Sequence, residues 1–101
     1  MSIEFTRINL HRQARYEISG APDVKGDYIN AHLRPDLVWI EDDGDAVTTV
    51  TVFGPNVKKD GATGKNRHDA KFRPRSRYDR DVPDWLSPLV EHHAKTFGVQ
   101  P

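Results

Sequence analysis

Basic side chains recur at every second position in the segment KFRPRSRYDR, which covers residues 71–80. In an extended chain, alternate residues project from one side, so the basic side chains from Lys71 to Arg77 would form a row with a spacing of about 6.6 Å. That spacing is close to the phosphate repeat of an extended nucleic-acid strand, and guanidinium groups stack on bases as well as pairing with phosphates. The pattern predicts a surface that contacts nucleic-acid phosphates.

The positive charge extends upstream of this row. Residues 58–80 hold nine basic and three acidic residues, whereas residues 36–45 hold five acidic residues and no basic one. The expected surface for nucleic acid or an acidic partner consists of the basic residues Lys58, Lys59, Lys65, Arg67, Lys71, Arg73, Arg75, Arg77 and Arg80. Two alternatives stay open. The basic side chains are solvated or paired with the acids of residues 36–45, within the domain or between subunits, or they bind an acidic protein.

Motifs for nucleotide and metal binding are incomplete. The sequence GATGK (residues 61–65) contains part of a phosphate-binding loop, but the first glycine position of that motif holds Lys59 and its hydroxyl position holds Asn66. This segment therefore predicts a flexible hairpin tip. The five histidines lack a zinc-binding spacing, and His93 falls on an apolar helical stripe, where we expect it to be packed and hydrogen-bonded.

Residues for covalent or acid–base catalysis are equally hard to assemble. The chain has no cysteine, and none of its serines lies in a nucleophile-elbow sequence. Acids such as Glu41 and Asp43 fall at an expected hairpin tip, where free access of water argues against a tuned acid–base pair. We therefore predict a non-enzymatic protein without a metal or cofactor.

Length and composition are those of one small domain. The 101 residues are 36% hydrophobic and 30% charged, and 15 basic residues balance 15 acidic ones, so the net charge indicates no particular partner. No apolar run approaches the length of a membrane span, and the N-terminal residues lack the apolar segment of a signal peptide. We expect a single domain over residues 1–101, no membrane contact and a cytoplasmic location.

Period-two alternation and turn residues predict a sheet. Alternation from Ile8 to Ile18 indicates a half-buried strand, and the change of parity between Phe5 and Ile8 predicts a bulge or break before it. Asp43-Gly44 separates two runs of strand-forming residues, 37–40 and 46–53, and predicts a hairpin. A two-residue loop there would place Trp39 opposite Thr48.

A second hairpin is expected around Asp60-Gly61, with a return strand from Arg67 to Arg73. Gly54-Pro55 predicts a bulge or an edge in the strand before it. The segment from Tyr28 to Leu33 fits either a short strand or one helical turn.

The C-terminal residues predict an amphipathic helix that ends at Gly98. If it starts near Pro83, Pro88 kinks it; if Ser87 caps it, Pro88 belongs to its first turn. We expect the helix to pack on a sheet face that carries Leu37, Trp39, Val50 and Val52. The predicted fold is α+β, a small antiparallel β-meander of four to five strands with one C-terminal α-helix packed on the sheet.

Four short segments also carry a resemblance. They are VTVFGP (50–55), VKKDG (57–61), GK (64–65) and VPDWL (82–86) at the start of the last helix. This series resembles a class of short proteins encoded by actinobacteria and their phages. The resemblance covers residues 46–97 and implies a β-meander followed by a helix. It also implies a phage or mobile-element setting, but it implies no particular activity.

Taken with the basic segment, these features predict a small binding protein that contacts nucleic-acid phosphates. The alternative is a phage-type accessory protein that binds and modulates a host protein through its acidic hairpin or a sheet edge.

Overall fold

The strands of the structure follow one another as antiparallel hairpins, and a helix closes the chain. The computed structural model describes residues 2–27 and 30–101. Its strands are β1 (Arg12–Glu17), β2 (Val24–Lys25), β3 (His32–Leu33), β4 (Leu37–Asp42), β5 (Val47–Val57) and β6 (Thr63–Phe72). A 3-10 turn (Asp84–Leu86) leads into helix α1 (Ser87–Phe97). The α+β class, the antiparallel sheet and the C-terminal helix are confirmed.

The sheet has six strands rather than the predicted four or five, because two long strands of the meander are each divided by a break. β3 and β4 follow each other along one side of β5, and β2 and β1 lie outside them. Pro35, which has no N–H to donate, lies between β3 and β4. The amides of Arg34 and Asp36 nevertheless donate to the carbonyls of Pro55 and Phe53, both at 2.9 Å, and continue the ladder across the gap.

The hairpin that joins β2 to β3 falls in the segment whose sequence was ambiguous. Gly26 N donates to Ala31 O (3.1 Å) and closes its loop, and Leu33 lies fully buried in the core. The end of that segment is therefore a short strand. Tyr28 and Ile29, which belong to the same expectation, lie outside the described residues.

Burial alternates along the strands and defines two faces of the sheet. The inner face is packed beneath α1 and carries Tyr16, Val38, Ile40, Val50, Val52, Ala70 and Phe72. The outer face points away from α1 and carries Arg15, Leu37, Trp39, Thr51, Phe53, Arg67 and Lys71. Val38 and Ile40 are 0% exposed, whereas their neighbours along β4 are half-buried, so the helix determines which face is inside.

The predicted register of the first hairpin is wrong, and the error assigns the wrong face of β4 to the core. Val50 and Val52 of β5 lie beneath the helix, as expected, but Leu37 and Trp39 do not. Trp39 lies opposite Thr51 rather than Thr48. The connection has four residues instead of two, because the carboxylate of Asp43 accepts hydrogen bonds from the amides of Asp45 (2.9 Å) and Ala46 (2.8 Å). A β-bulge between residues 47 and 49 adds one more step. The total shift is odd, so Trp39 and its neighbour Leu37 lie on the outer face, away from the helix.

The second hairpin and its strand irregularity are confirmed. Lys58 N donates to Ala62 O (2.8 Å) across the turn, and Gly61 adopts a positive φ of 86°. The return strand begins at Thr63, four residues earlier than expected. The extra residues of the irregularity lie in β6, where the four steps from Arg67 to Thr63 face two steps of β5, and the shift begins directly after Pro55. Only glycine fits at the position before it, since a Cβ on Gly54 would lie 1.9 Å from the carbonyl oxygen of Arg34.

The helix contributes a short apolar stripe to the core. Leu86, Val90 and Ala94 are at most 6% exposed, and Leu89 packs at the margin of the same cluster. Pro88 lies in the first turn of the helix, as expected for the later of the two starts, and its missing N–H leaves no hydrogen bond unmade there. The expected cap is wrong, because Ser87 is the first helical residue and Leu86 occupies the cap position without a side-chain hydrogen bond. Gly98 ends the helix with a φ of 67°, as expected.

Truncating one residue from each face of β4 tests which of the two faces lies in the core. Ile40→Ala should lower the free energy of unfolding by about 2–5 kcal/mol, because it opens a cavity in the core. Leu37→Ala, on the half-buried outer face, should cost clearly less. Urea denaturation of both variants measures the difference, and a larger loss for Leu37→Ala would mean that the faces are assigned the wrong way round.

Candidate nucleic-acid interface

The predicted straight row of basic residues from Lys71 to Arg77 is wrong, because β6 ends at Phe72. Residues 73–80 form a closed loop in which Arg73 N donates to Arg80 O (2.9 Å). Ser76 Oγ stabilises the loop from inside by accepting hydrogen bonds from the amides of Tyr78 and Asp79, both at 3.2 Å. A positive φ of 65° at residue 75 turns the chain out of the extended conformation.

Three of the predicted site arginines form ion pairs on the surface, namely Arg67, Arg73 and Arg80. Arg67 makes a two-pronged pair with Asp36, at 2.9 and 2.6 Å, and Arg73 lies 3.1 Å from Asp79. The hydrogen bonds from Arg67 lower the pKa of the Asp36 carboxyl below its ordinary value, although partial burial opposes them. The Arg67 pair confirms internal pairing with the acidic stretch for one of its five acids.

Two arginines of the loop, Arg75 and Arg80, bind parts of the fold that are distant in sequence. Arg75 donates to the carbonyl oxygens of Val47 (2.7 Å) and Pro101, and so ties the loop to β5 and to the C-terminal residues. Arg80 pairs with Asp27 at 2.5 Å, and its guanidinium lies 4.9 Å from the centre of the Phe72 ring. These arginines hold the loop against the sheet.

The lysines behave differently from the arginines. Among the described residues, no ion pair or side-chain hydrogen bond engages Lys58, Lys59, Lys65, Lys71 or Arg77, and all five are exposed. Ala70 and Phe72 point inward, so the alternation of β6 places Lys71 on the outer face. Lys65 lies nearer the hairpin tip, within the irregular part of β6, and is exposed. Lys58 and Lys59 lie at the tip of the β5–β6 hairpin. The cations that are free to meet a ligand are therefore mostly lysines of this hairpin.

An aromatic pair lies on the same outer face as Lys71, with one strand between Trp39 and Lys71. The rings of Trp39 and Phe53 have centroids 4.5 Å apart, and the guanidinium of Arg15 lies 4.7 Å from the Trp39 ring. Arg15, Trp39, Thr51 and Lys71 are consecutive partners across four strands. The sequence could not reveal this arrangement, because the two-residue loop assumed for the first hairpin assigned Trp39 to the core.

A third aromatic side chain lies next to Lys71. Tyr78 is 94% exposed and borders a hollow of about 290 Å³. The other residues around this hollow are Asp27, Lys71, Arg73, Asp79 and Arg80. An exposed ring beside cations is the arrangement that proteins use to stack on nucleic-acid bases.

Acidic side chains lie on the same outer face. Glu17 and Asp69 flank the rung that contains Phe53, and Glu41 accepts a hydrogen bond from Gln13 (3.1 Å). The outer face as a whole is therefore close to neutral. Among the described residues, its cations without a carboxylate partner are Arg15 of β1 and the lysines of β6 and the hairpin tip.

Beneath the opposite face lies a buried polar cluster that the sequence did not predict. The carboxylate of Asp42 accepts hydrogen bonds from Arg12 (3.0 and 2.9 Å), from His93 Nε2 (2.7 Å) and from Gly44 N (3.0 Å). His93 Nδ1 lies 2.9 Å from the hydroxyl of Tyr16. With a neutral imidazole, Nε2–H donates to Asp42 and Tyr16 donates to Nδ1, so each polar group of the cluster has a partner.

The cluster has a structural role, since Asp42 and His93 are 0% exposed and no substrate reaches them. The expectation that His93 is packed and hydrogen-bonded is confirmed. Burial alone would raise the pKa of Asp42, but the hydrogen bonds from Arg12 and His93 outweigh it and hold that pKa below its usual value. Burial, together with the nearby Asp42 charge, raises the pKa of Tyr16.

Three further observations concern metal binding, membrane-spanning helices and similarity to known proteins. No group of three or more histidines, cysteines and acids in the described part of the chain could hold a metal ion, and no helix there is long and apolar enough to span a bilayer. Comparisons with protein-family models, with curated proteins and with solved structures find no match to this chain. The resemblance to short actinobacterial and phage proteins therefore stays a prediction.

The buried cluster predicts a specific dependence of stability on pH. Asp42→Asn should lower the free energy of unfolding by about 3–5 kcal/mol at pH 7, because it leaves the Arg12 charge without its partner. The folded-state pKa of Asp42 is lowered, so its contribution is complete above about pH 4 and is lost as the pH falls further. The gap between wild type and variant should therefore shrink below pH 4.

Asp36→Asn serves as the control for this experiment. It removes an arginine pair of similar geometry on the surface, where such pairs contribute at most about 1 kcal/mol. Equal losses for the two variants at pH 7 would contradict the structural role of the buried cluster.

Proposed function

We propose that this protein is a small, non-enzymatic binding protein that contacts single-stranded nucleic acid through the outer face and the β5–β6 hairpin. One observation carries the proposal: the unpaired Lys71 lies on the same sheet face as the half-buried rings of Trp39 and Phe53, with Thr51 between Lys71 and Trp39. Lysines neutralise phosphates, and aromatic rings stack on bases of any sequence. The arginines of residues 67–80, which the sequence favoured, mainly position this surface.

The dimensions of the surface suit a short stretch of an extended strand. Lys65 and Lys71 are six residues apart along β6, a distance of about 20 Å. Phosphates can follow this row while bases turn inward over Trp39 and Phe53 or over Tyr78.

Unpaired bases fit this surface better than a duplex does. In double-stranded nucleic acid the bases are stacked on one another and their faces are hidden, so aromatic rings on an open sheet have nothing to stack on. In a single strand the faces are available. We therefore expect oligothymidylate or oligouridylate to bind more tightly than a duplex of the same length at equal salt.

Removing two lysines tests the phosphate contacts. Lys65→Gln/Lys71→Gln should leave folding intact, since both side chains are exposed, and should weaken binding to single-stranded DNA. The slope of log K against log salt should flatten by about 0.7 for each lost contact. Lys95→Gln is the control, because Lys95 lies on α1, on the other side of the sheet. Equal slopes for wild type and the double variant would contradict a phosphate-binding role.

Removing an aromatic ring tests stacking separately. Tyr78→Ala should weaken single-strand binding by about 1–3 kcal/mol, and Tyr78→Phe should retain most of the affinity because it keeps the ring. Fluorescence anisotropy with a labelled oligonucleotide measures both. If Tyr78→Ala binds as tightly as wild type, this ring takes no part in stacking.

The accessory-protein hypothesis predicts another outcome of the same titration. Under it, the wild-type protein would show no binding to either form of nucleic acid at low salt. It would instead bind a host protein through the acidic residues of the first hairpin or through a sheet edge.

A further inference from the structure

The chain that precedes β1 is an extended arm with exposed apolar side chains. Residues 2–11 form neither helix nor strand, and Ile3, Phe5 and Ile8 are 81%, 90% and 92% exposed. The radius of gyration is 16.2 Å, against about 13 Å for a compact domain of 100 residues, as expected when part of the chain leaves the body. Three large apolar side chains within six residues remain in water in the isolated molecule.

The arm is held to the body only at its end near β1. Leu10 packs against Gly44 in the turn of the first hairpin, and the guanidinium of Arg7 lies close to the same glycine. Residues 2–6 are all exposed. The arm therefore leaves the domain in a fixed direction, as a continuation of β1.

β1 offers an open sheet edge next to this arm. It pairs with β4 on one side only. Ile18 N donates towards β4, to Asp36 O (3.1 Å), so by alternation the amides of Gln13, Arg15 and Glu17 point away from the sheet. Among the described residues, no strand pairs with that side of β1. Such a row of unpaired amides and carbonyls is a template for another strand.

The opposite edge of the sheet is partly covered. Asp27 N donates to Asp69 O of β6 (3.1 Å), and the carboxylate of Asp27 accepts a hydrogen bond from Lys71 N (2.8 Å). This loop contact blocks the middle of the β6 edge. β1 is therefore the longer free edge of the described sheet, and it belongs to the same segment as the arm.

We propose that the arm of one molecule adds as an antiparallel strand to β1 of a second copy, and that the second copy does the same in return. Because the arm runs directly into β1, a two-fold axis near Leu10 pairs residues 3–10 of each copy with residues 10–17 of the other. One symmetric contact then satisfies both arms and both free edges. The second copy is the partner because the exposed arm and the matching edge are present in every chain.

The parity of the arm supports this pairing. Opposed residues of antiparallel strands share a face, so a two-fold axis at Leu10 places Phe5 opposite Arg15 and Ile3 opposite Glu17. Both apolar side chains then reach the outer face, where the side chains of Arg15 and Glu17 lie between them and Trp39 and Leu37 of β4. The change of parity after Phe5 sends Ile8 to the inner face instead, opposite Arg12. The inference does not depend on nucleic-acid binding, and it would join two outer faces into one continuous sheet.

Oligomeric state in solution is the test. Light scattering of the full chain should show a dimer of twice 11.5 kDa. Ile3→Asp/Phe5→Asp should weaken dimerisation at least about hundredfold, since it puts charges where two apolar side chains are buried. The matched control, Ser2→Asp/Thr6→Asp, adds the same charges to the neighbouring positions of the arm and should retain the dimer better.

A disulfide tests the register, because the chain has no cysteine of its own. Phe5→Cys/Arg15→Cys should oxidise to a covalent dimer, whereas Thr6→Cys/Arg15→Cys should do so much more slowly. A wild-type chain that stays monomeric at all accessible concentrations overturns the proposal, and so does a dimer that responds equally to the two aspartate variants. Circular dichroism of each variant establishes that the domain is folded.

Discussion

The carboxylate of Asp42 is the point on which the rest of the fold depends. It binds Arg12 of β1, His93 of α1 and the amide of Gly44, so one buried group joins an edge strand, the helix and the turn of the first hairpin. A carboxylate at 0% exposure is costly unless all its hydrogen bonds are made. The chain meets that condition only when α1 lies on the face that carries Asp42, and this requirement fixes the inside of the sheet.

Fixing the inner face of the sheet also determines which side chains lie on the outer face. Trp39 and Phe53 are left on the outer face, and Lys71 of β6 lies on that face as well. Arginine and lysine have separate tasks here. Planar guanidinium groups at Arg67, Arg75 and Arg80 bind carboxylates and carbonyls and so fasten loops, whereas the lysines are left with exposed ammonium groups.

Local patterns in the sequence were enough to predict the strands and the helix, but not the register in which the strands pair. Alternation before Ile18, the Asp-Gly turns and the helix end at Gly98 predicted a β-meander with a C-terminal helix. The register failed because nearly every residue from Val47 to Phe53 favours a strand on either face, and a turn bonded by the Asp43 side chain with a bulge after it leaves no mark in such a run. The Asp42–His93 contact joins residues 51 apart, for which the sequence has no local signal.

The arginine row failed for a different reason. Alternation of basic residues predicts a strand only where the backbone is free to extend, and Pro74 followed by a positive φ at Arg75 prevents it. The acids that pair with these arginines lie in three different parts of the chain, and only the folded structure brings them together.

We propose that nucleic acid binds the sheet face opposite the buried cluster. The two tryptophans of the chain report on the two sides: Trp39 lies on the outer face, and Trp85 packs against the core beneath the inner face. An NMR titration of the 15N-labelled protein with oligothymidylate should shift the indole N–H signal of Trp39 progressively and leave that of Trp85 in place. A shift of the Trp85 signal alone, or of neither signal while oligonucleotide binds, would contradict the claim.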